Sequence, residues 1–244
     1  MKQIKKRTSP IAFEAWKKNY QAKNGNTLQD LYEQTDMTGK KLWGALSTPK
    51  LTSNGESRVY SKEELKEVLL DEQMQICCYC NRTIAAENTT IEHFKPKGNR
   101  LYFKLAYDYN NLFASCDGFA AEPKPRDICC NVKRLESELL PFNQTEEWVE
   151  THFDFTIDGQ IVGITPKGVE TIRQLGLDIE KLNNLRAAYI KDYLYENPFS
   201  ELPELISKEE AIESIKTLKM PVDGALIPFC VAIIKVLERE IING

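Results

Sequence analysis

Six of the seven cysteines of this 244-residue chain lie between Cys77 and Cys130, and that crowding limits what the region can fold into. Evenly spread cysteines suggest a disulfide framework, whereas a dense group in a chain without a leader pattern suggests a metal. Cys77 and Cys80 have C-x-x-C knuckle spacing, and Cys116 with one of Cys129 or Cys130 supplies a second pair. Between Cys116 and Cys129 lie 12 residues, a loop that needs no regular structure if a metal closes it. Four thiolates are the donors of a closed, tetrahedral Zn²⁺ site, which is structural because no position is left for water. The expected set is Cys77, Cys80, Cys116 and Cys129, with Cys130 the open alternative at the last position. Cys78 would need a C-x-C bite that suits one metal poorly, and Cys230 reads as core. A group of buried, unliganded thiols is the competing reading, and the closable spacing argues against it.

The rest of the chain reads as mainly helical around this region. The 42% hydrophobic content allows one large domain or two small ones. Helices are expected at 9–23, 28–34 and 39–46, with a loop at 48–57. Ser61 and Glu64 form a capping box that opens a further helix leading into the knuckle. The β-branched run at 89–94 predicts a strand carrying Glu92 and His93. Asp158-Gly159 between apolar flanks predicts a hairpin over 153–164. Helices then follow at 166–175, 178–195, 207–218 and 228–242. The fold class is α+β: a small zinc-bound ββα core inside a mainly helical chain. Its regions are an N-terminal helical part (1–60), the core (61–140) and a hairpin with C-terminal helices (141–244).

Net charge is −4, yet the stretch 91–134 carries eight basic against five acidic residues. A basic segment in an acidic protein suits phosphate contact where chemistry occurs, with a partner supplying further grip. No apolar run reaches membrane-spanning length and no signal-peptide pattern opens the chain, so a soluble cytoplasmic protein is expected.

The polar residues between the cysteine pairs are those that hydrolysis of a phosphodiester needs. His93 follows an acidic residue and precedes Lys95-Pro96-Lys97; an imidazole there can take a proton from water near neutral pH. Glu92 and a second oxygen ligand, best supplied by Asn131, would hold a divalent ion against the phosphate. Glu92 points to the opposite strand face from His93 unless the backbone turns. Asn111 can bond backbone on both sides and hold the histidine loop in register, or serve as a helix cap. His152 has no motif around it and reads as structural.

The order C-x-x-C, (D/E)-H-x-x-P, N-L-x-x-x-C, C-x-N-x-K resembles the zinc-containing HNH, or ββα-metal, endonucleases. The resemblance implies His93 as general base and Asn111 as brace, with Glu92 and Asn131 holding a catalytic Mg²⁺ or Mn²⁺. Departures are Glu at position 92, Asn at position 131 and a long insertion before Cys129. Cys-Cys-Tyr-Cys, Ile-Glu-His-Phe-Lys-Pro-Lys, residues 107–112 and Thr171-Ile172-Arg173-Gln174-Leu175-Gly176-Leu177 resemble, more narrowly, the PtuB-type HNH nucleases of Septu and retron anti-phage systems. That likeness implies a nucleic-acid substrate, DNA by default with RNA or tRNA as the alternative. It also implies an ABC/SMC-like (PtuA-like) ATPase partner, with a retron reverse transcriptase and its msDNA as further associates. The expected docking surfaces are the helical stretches 9–46 and 178–242. The opposing class is a zinc-ribbon binding module without activity.

Overall fold

The computed structural model describes residues 1–22, 24–47, 60–120, 127–134 and 139–244; the loop expected at 48–57 lies outside them. Local chemistry sets most helix limits. α1 (Ile11–Asn19) starts after Pro10 and stops short of the expected residue 23. There Tyr20 turns extended, and Gln21 pairs with Thr27 around Gly25, whose φ is 85°. α2 (Leu28–Glu33) begins with a Thr27–Asp30 capping box, and α3 (Gly39–Gly44) begins where the Thr38 hydroxyl accepts from Lys41 N. α4 (Lys62–Glu72) opens on the Ser61–Glu64 box, each side chain satisfying a backbone N–H that the first turn leaves without a partner.

β1 (Thr89–His93) and β2 (Leu112–Cys116) pair antiparallel, with Thr89 opposite Cys116 and His93 opposite Leu112. α5 (Cys130–Lys133) follows and packs on β2, giving the order strand, strand, helix. All five residues of β2 are buried, because α4 also packs against it. Gln73, at the end of α4, acts as a strand partner: its amide accepts from Ala114 N and donates to Ala114 O, both at 2.8 Å.

In the C-terminal part, β3 (Phe153–Phe155) pairs with β4 (Ile161–Gly163). Gly159, with φ 76°, closes the turn; a Cβ there would lie 2.1 Å from Asn183 O, so the hairpin rests flush on the next long helix. α6 (Pro166–Leu175) is capped by Thr165 and ends at left-handed Gly176. α7 (Glu180–Leu194), α8 (Lys208–Leu218) and α9 (Cys230–Leu237) follow, the last continuing as a π-helical turn over Glu238–Ile242. Buried Arg186 on α7 donates to the carbonyls of Gly159 and Leu177, tying hairpin and helix together. Buried apolar residues of the N-terminal, central and C-terminal stretches form one cluster, Phe13 and Trp16 with Leu65 and Phe113 and with Ile190 and Val236. Among the described residues, no helix is long and apolar enough to cross a membrane.

One glycine positions the central site. A Cβ on Gly39 would lie 1.8 Å from the carbonyl oxygen of Lys97, so α3 reaches the loop after β1 only because position 39 has no side chain. One turn further on, Trp43 meets His93.

Candidate metal centre and histidine site

The knuckle is a tight loop. Ile76 bridges to Thr83, Cys77 N bonds Arg82 O at 2.9 Å, and Asn81 takes a left-handed φ of 61°. The thiols of Cys77, Cys80, Cys116 and Cys130 all lie within 4.8 Å of one another, and all four residues are buried. The Sγ–Sγ separations of Cys77 to Cys130 and of Cys80 to Cys116 are 3.9 Å each. Four sulfurs about 2.3 Å from a tetrahedral Zn²⁺ would be roughly 3.8 Å apart, so the donor set fits that ion.

The fourth member of the group is Cys130, where Cys129 was expected. Cys129 N is bonded to Gly118 O, with its backbone extended. Cys130 then reverses the chain at φ 58° and starts α5 beside Cys77. Burial raises the Cys77 thiol, but hydrogen bonds from Cys116 and Cys130 outweigh it and hold Cys77 well below the usual thiol range. An anionic sulfur is what a cation seeks. The Arg82 guanidinium is paired with Asp117 and lies 4.3 Å from the Phe119 ring centroid, near Cys116 and Cys80. Cys230, by contrast, is buried in α9.

His93 ends β1 and is buried. Its Nε2 lies 3.1 Å from Ala106 O; since a carbonyl only accepts, Nε2 carries the proton and Nδ1 is bare in the neutral ring. Lys97 Nζ donates to Nδ1 at 3.4 Å, and Trp43 meets the ring edge-on with centroids 4.5 Å apart. Burial first, then the Lys97 charge, push the imidazole down to about 3, with Arg134 and Lys62 adding to the effect.

Asn111 makes the backbone bonds of a brace. Its Oδ1 accepts from Lys95 N at 2.7 Å, and its Nδ2 donates to Lys95 O and Leu105 O at 3.1 and 3.2 Å. One side chain thus holds the loop after β1 against the segment that presents Ala106 O.

Glu92 and Asn131 have different hydrogen-bond partners. Glu92 Oε1 accepts from Tyr79 Oη at 2.8 Å and pairs with Arg134 at 3.0 Å, the two side chains being 10% and 5% exposed. Burial raises the Glu92 carboxyl, and Arg134 opposes that rise. Asn131 instead donates to Thr90 Oγ1 at 2.7 Å and accepts from Ser115 Oγ at 3.3 Å. Thr90 shares a face of β1 with Glu92, one pleat away. Both oxygens expected for a catalytic ion thus have protein partners in this structure. Arg134 also donates to the carbonyls of His93 and Phe94, so a protein cation occupies the carboxylate's neighbourhood.

Four residues of the site had no role in the sequence reading: Trp43, Tyr79, Lys97 and Arg134. Tyr79 and Lys97 stand inside recognised motifs, and Arg134 directly follows one, which is the signal that could have marked them. Trp43 is 50 residues from His93 and carries no such signal. His152 bonds Thr165, the cap of α6, at 2.7 Å and stacks on Phe142, a structural arrangement.

No known family model matches the chain. Over 145 residues it is 26% identical to the "Retron Vc95 putative HNH endonuclease" of Vibrio cholerae serotype O1 biovar El Tor, an alignment covering 55% of this chain and 67% of that protein. This relative supports the broader resemblance, to HNH nucleases.

Two outcomes check the geometry. Cys130→Ser should lower bound zinc below one per chain and unfold the core, whereas Cys129→Ser should keep the metal; elemental analysis of both variants decides between the two cysteines. His93 should stay neutral on acidification. Between about pH 6.5 and its depressed folded value the unfolded chain binds a proton that the folded chain does not, so stability falls as pH drops, by up to about 1.4 kcal/mol per pH unit. NMR of the imidazole checks this, and a ring that titrates near pH 6.5 contradicts the burial seen here.

Proposed function

We propose that this chain is an HNH-type endonuclease that hydrolyses phosphodiester bonds in nucleic acid, with His93 as its general base. The observation that carries the reading is the held imidazole: Nε2–H on Ala106 O, bare Nδ1 turned to a lysine, and the whole loop braced by Asn111. In the resting state Lys97 caps Nδ1. A phosphodiester is the group that draws Lys97 away, because its negative charge pairs with the ammonium. Loss of that neighbouring positive charge raises the basicity of His93 at the moment a water can take the lysine's place. Nδ1 then accepts the water's proton as its oxygen attacks phosphorus; the opposite P–O ester bond breaks, the leaving oxygen takes a proton from solvent, and Ala106 O shares the imidazolium charge through Nε2–H. The base is thus switched on by substrate.

The four thiols are assigned to a structural Zn²⁺. A catalytic Mg²⁺ or Mn²⁺ belongs to the HNH resemblance; Glu92 and Asn131 would hold it, and here Glu92 is instead engaged by Arg134 and Tyr79 and Asn131 by Thr90 and Ser115. DNA is the substrate assigned by default, with RNA or tRNA tested beside it. The biological setting is an anti-phage system of retron or Septu type, with an ABC/SMC-like ATPase restraining the nuclease and a reverse transcriptase with msDNA alongside. The support for that setting is the retron naming of the relative together with the narrower motif likeness.

The low basicity of His93 favours a second reading, a zinc-held binding module without activity. Replacing His93 by Ala separates the two. The nuclease loses about 10²–10⁴-fold in cleavage rate while zinc content and folding stay unchanged. The assay uses labelled DNA and RNA, with and without proteins encoded beside the gene. Cleavage unaffected by the substitution contradicts the assignment of the base, and no cleavage of either nucleic acid with or without partners supports the binding module.

A further inference from the structure

A cavity that His93 does not line borders the knuckle residues Cys77 and Cys78. It holds about 540 Å³, within the range of small-molecule sites. The extended segment at 2–7 forms one wall, the end of α4 and the knuckle residues Cys77 and Cys78 another, and the loop around Leu226 a third. Five basic side chains (Lys2, Lys5, Lys6, Arg7 and Lys219) line it against two carboxylates, Glu72 and Glu150.

Both carboxylates are already satisfied. Glu72 pairs with Lys6 and accepts from Arg7 N at 2.6 Å and from Tyr109 Oη at 3.0 Å. Glu150 accepts from Gln3 N at 3.1 Å and pairs with Lys2 at 3.7 Å. Arg7 turns its guanidinium to Asp71. The side chains of Lys5 and Lys219 are exposed and, among the described residues, make neither an ion pair nor a hydrogen bond. Two lysines without a side-chain partner therefore line a cavity whose remaining surface is partly apolar, supplied by Met74, Ile76 and Leu226.

The walls are preformed. Met74 and Asn81 hold left-handed backbone at φ 52° and 61°. Their carbonyls are bonded by Leu226 N and Phe229 N, each at 2.9 Å. Strained residues kept in place by surrounding bonds are typical of ligand clamps.

The geometry points to a second ligand site, for a nucleoside polyphosphate: phosphates between Lys5 and Lys219, base on the Met74–Ile76–Leu226 wall. A partly open cavity of this size suits a single nucleotide better than a continuous strand. The site is independent of the nuclease reading. A ligand here would touch the knuckle from behind and tie the 2–7 segment to the C-terminal loop.

The test is calorimetric titration of the full, zinc-loaded chain with ATP, adenosine, tripolyphosphate and a 5′-phosphorylated oligonucleotide. One ATP should bind per chain, at least tenfold more tightly than adenosine or tripolyphosphate. Lys5→Glu and Lys219→Glu should each weaken it at least tenfold, and His93→Ala should leave it unchanged. Both lysines are exposed, and circular dichroism with zinc content confirms that the variants fold; Lys219→Ala on the end of α8 serves if Lys5→Glu does not. No saturable ATP binding at millimolar concentration, binding indifferent to both lysines, or equal binding of tripolyphosphate or the oligonucleotide would each overturn the assignment.

Discussion

The convergence of four thiols in one buried space is the constraint on which the rest of this structure hangs. A two-stranded sheet of five residues per strand and a helix of four residues cannot stabilise one another by burial alone. Cys77 and Cys80 come from the knuckle, Cys116 from the end of β2 and Cys130 from the start of α5. A metal ion closing that set would join all three pieces of the strand–strand–helix unit at a single point. Binding to such a site contributes folding free energy directly, on the order of 10–16 kcal/mol in apparent terms for small zinc domains. The far end of β1, where His93 sits, inherits its position from that anchor through the β1–β2 register.

The anchor alone would leave the histidine loose, and three further contacts hold it. Asn111 locks the loop after β1 from below, Gly39 lets α3 reach that loop, and Arg134 ties its carbonyls back to α5. The buried Arg134–Glu92 pair would be costly to break, since removing either partner strands a charge away from water. That pairing engages the carboxylate that precedes His93 in the chain.

Much of the framework was legible from residue types. The Ser61–Glu64 and Ser207–Glu210 boxes mark helix starts because their hydrogen bonds are local, and Asp158-Gly159 marks the hairpin for the same reason. Cysteine spacing identified the thiol group to within one residue. The choice between Cys129 and Cys130 was hidden because it depends on a left-handed residue and on a bond to Gly118, neither visible in spacing. The early end of α1 reflects a pairing of Gln21 with Thr27 that overrides helical propensity. Trp43 against His93, and Arg134 in place of Asn131 beside Glu92, are contacts between segments about 40 or more residues apart. No local pattern encodes them.

The central claim is that a braced, lysine-capped imidazole is uncapped by a phosphodiester. A crystal structure of the chain bound to an uncleavable phosphodiester analogue tests it most directly. The account predicts Lys97 Nζ on a phosphate oxygen, a water within hydrogen-bonding distance of His93 Nδ1, and Nε2 still on Ala106 O. A phosphate bound elsewhere, with Lys97 still donating to His93, would contradict it.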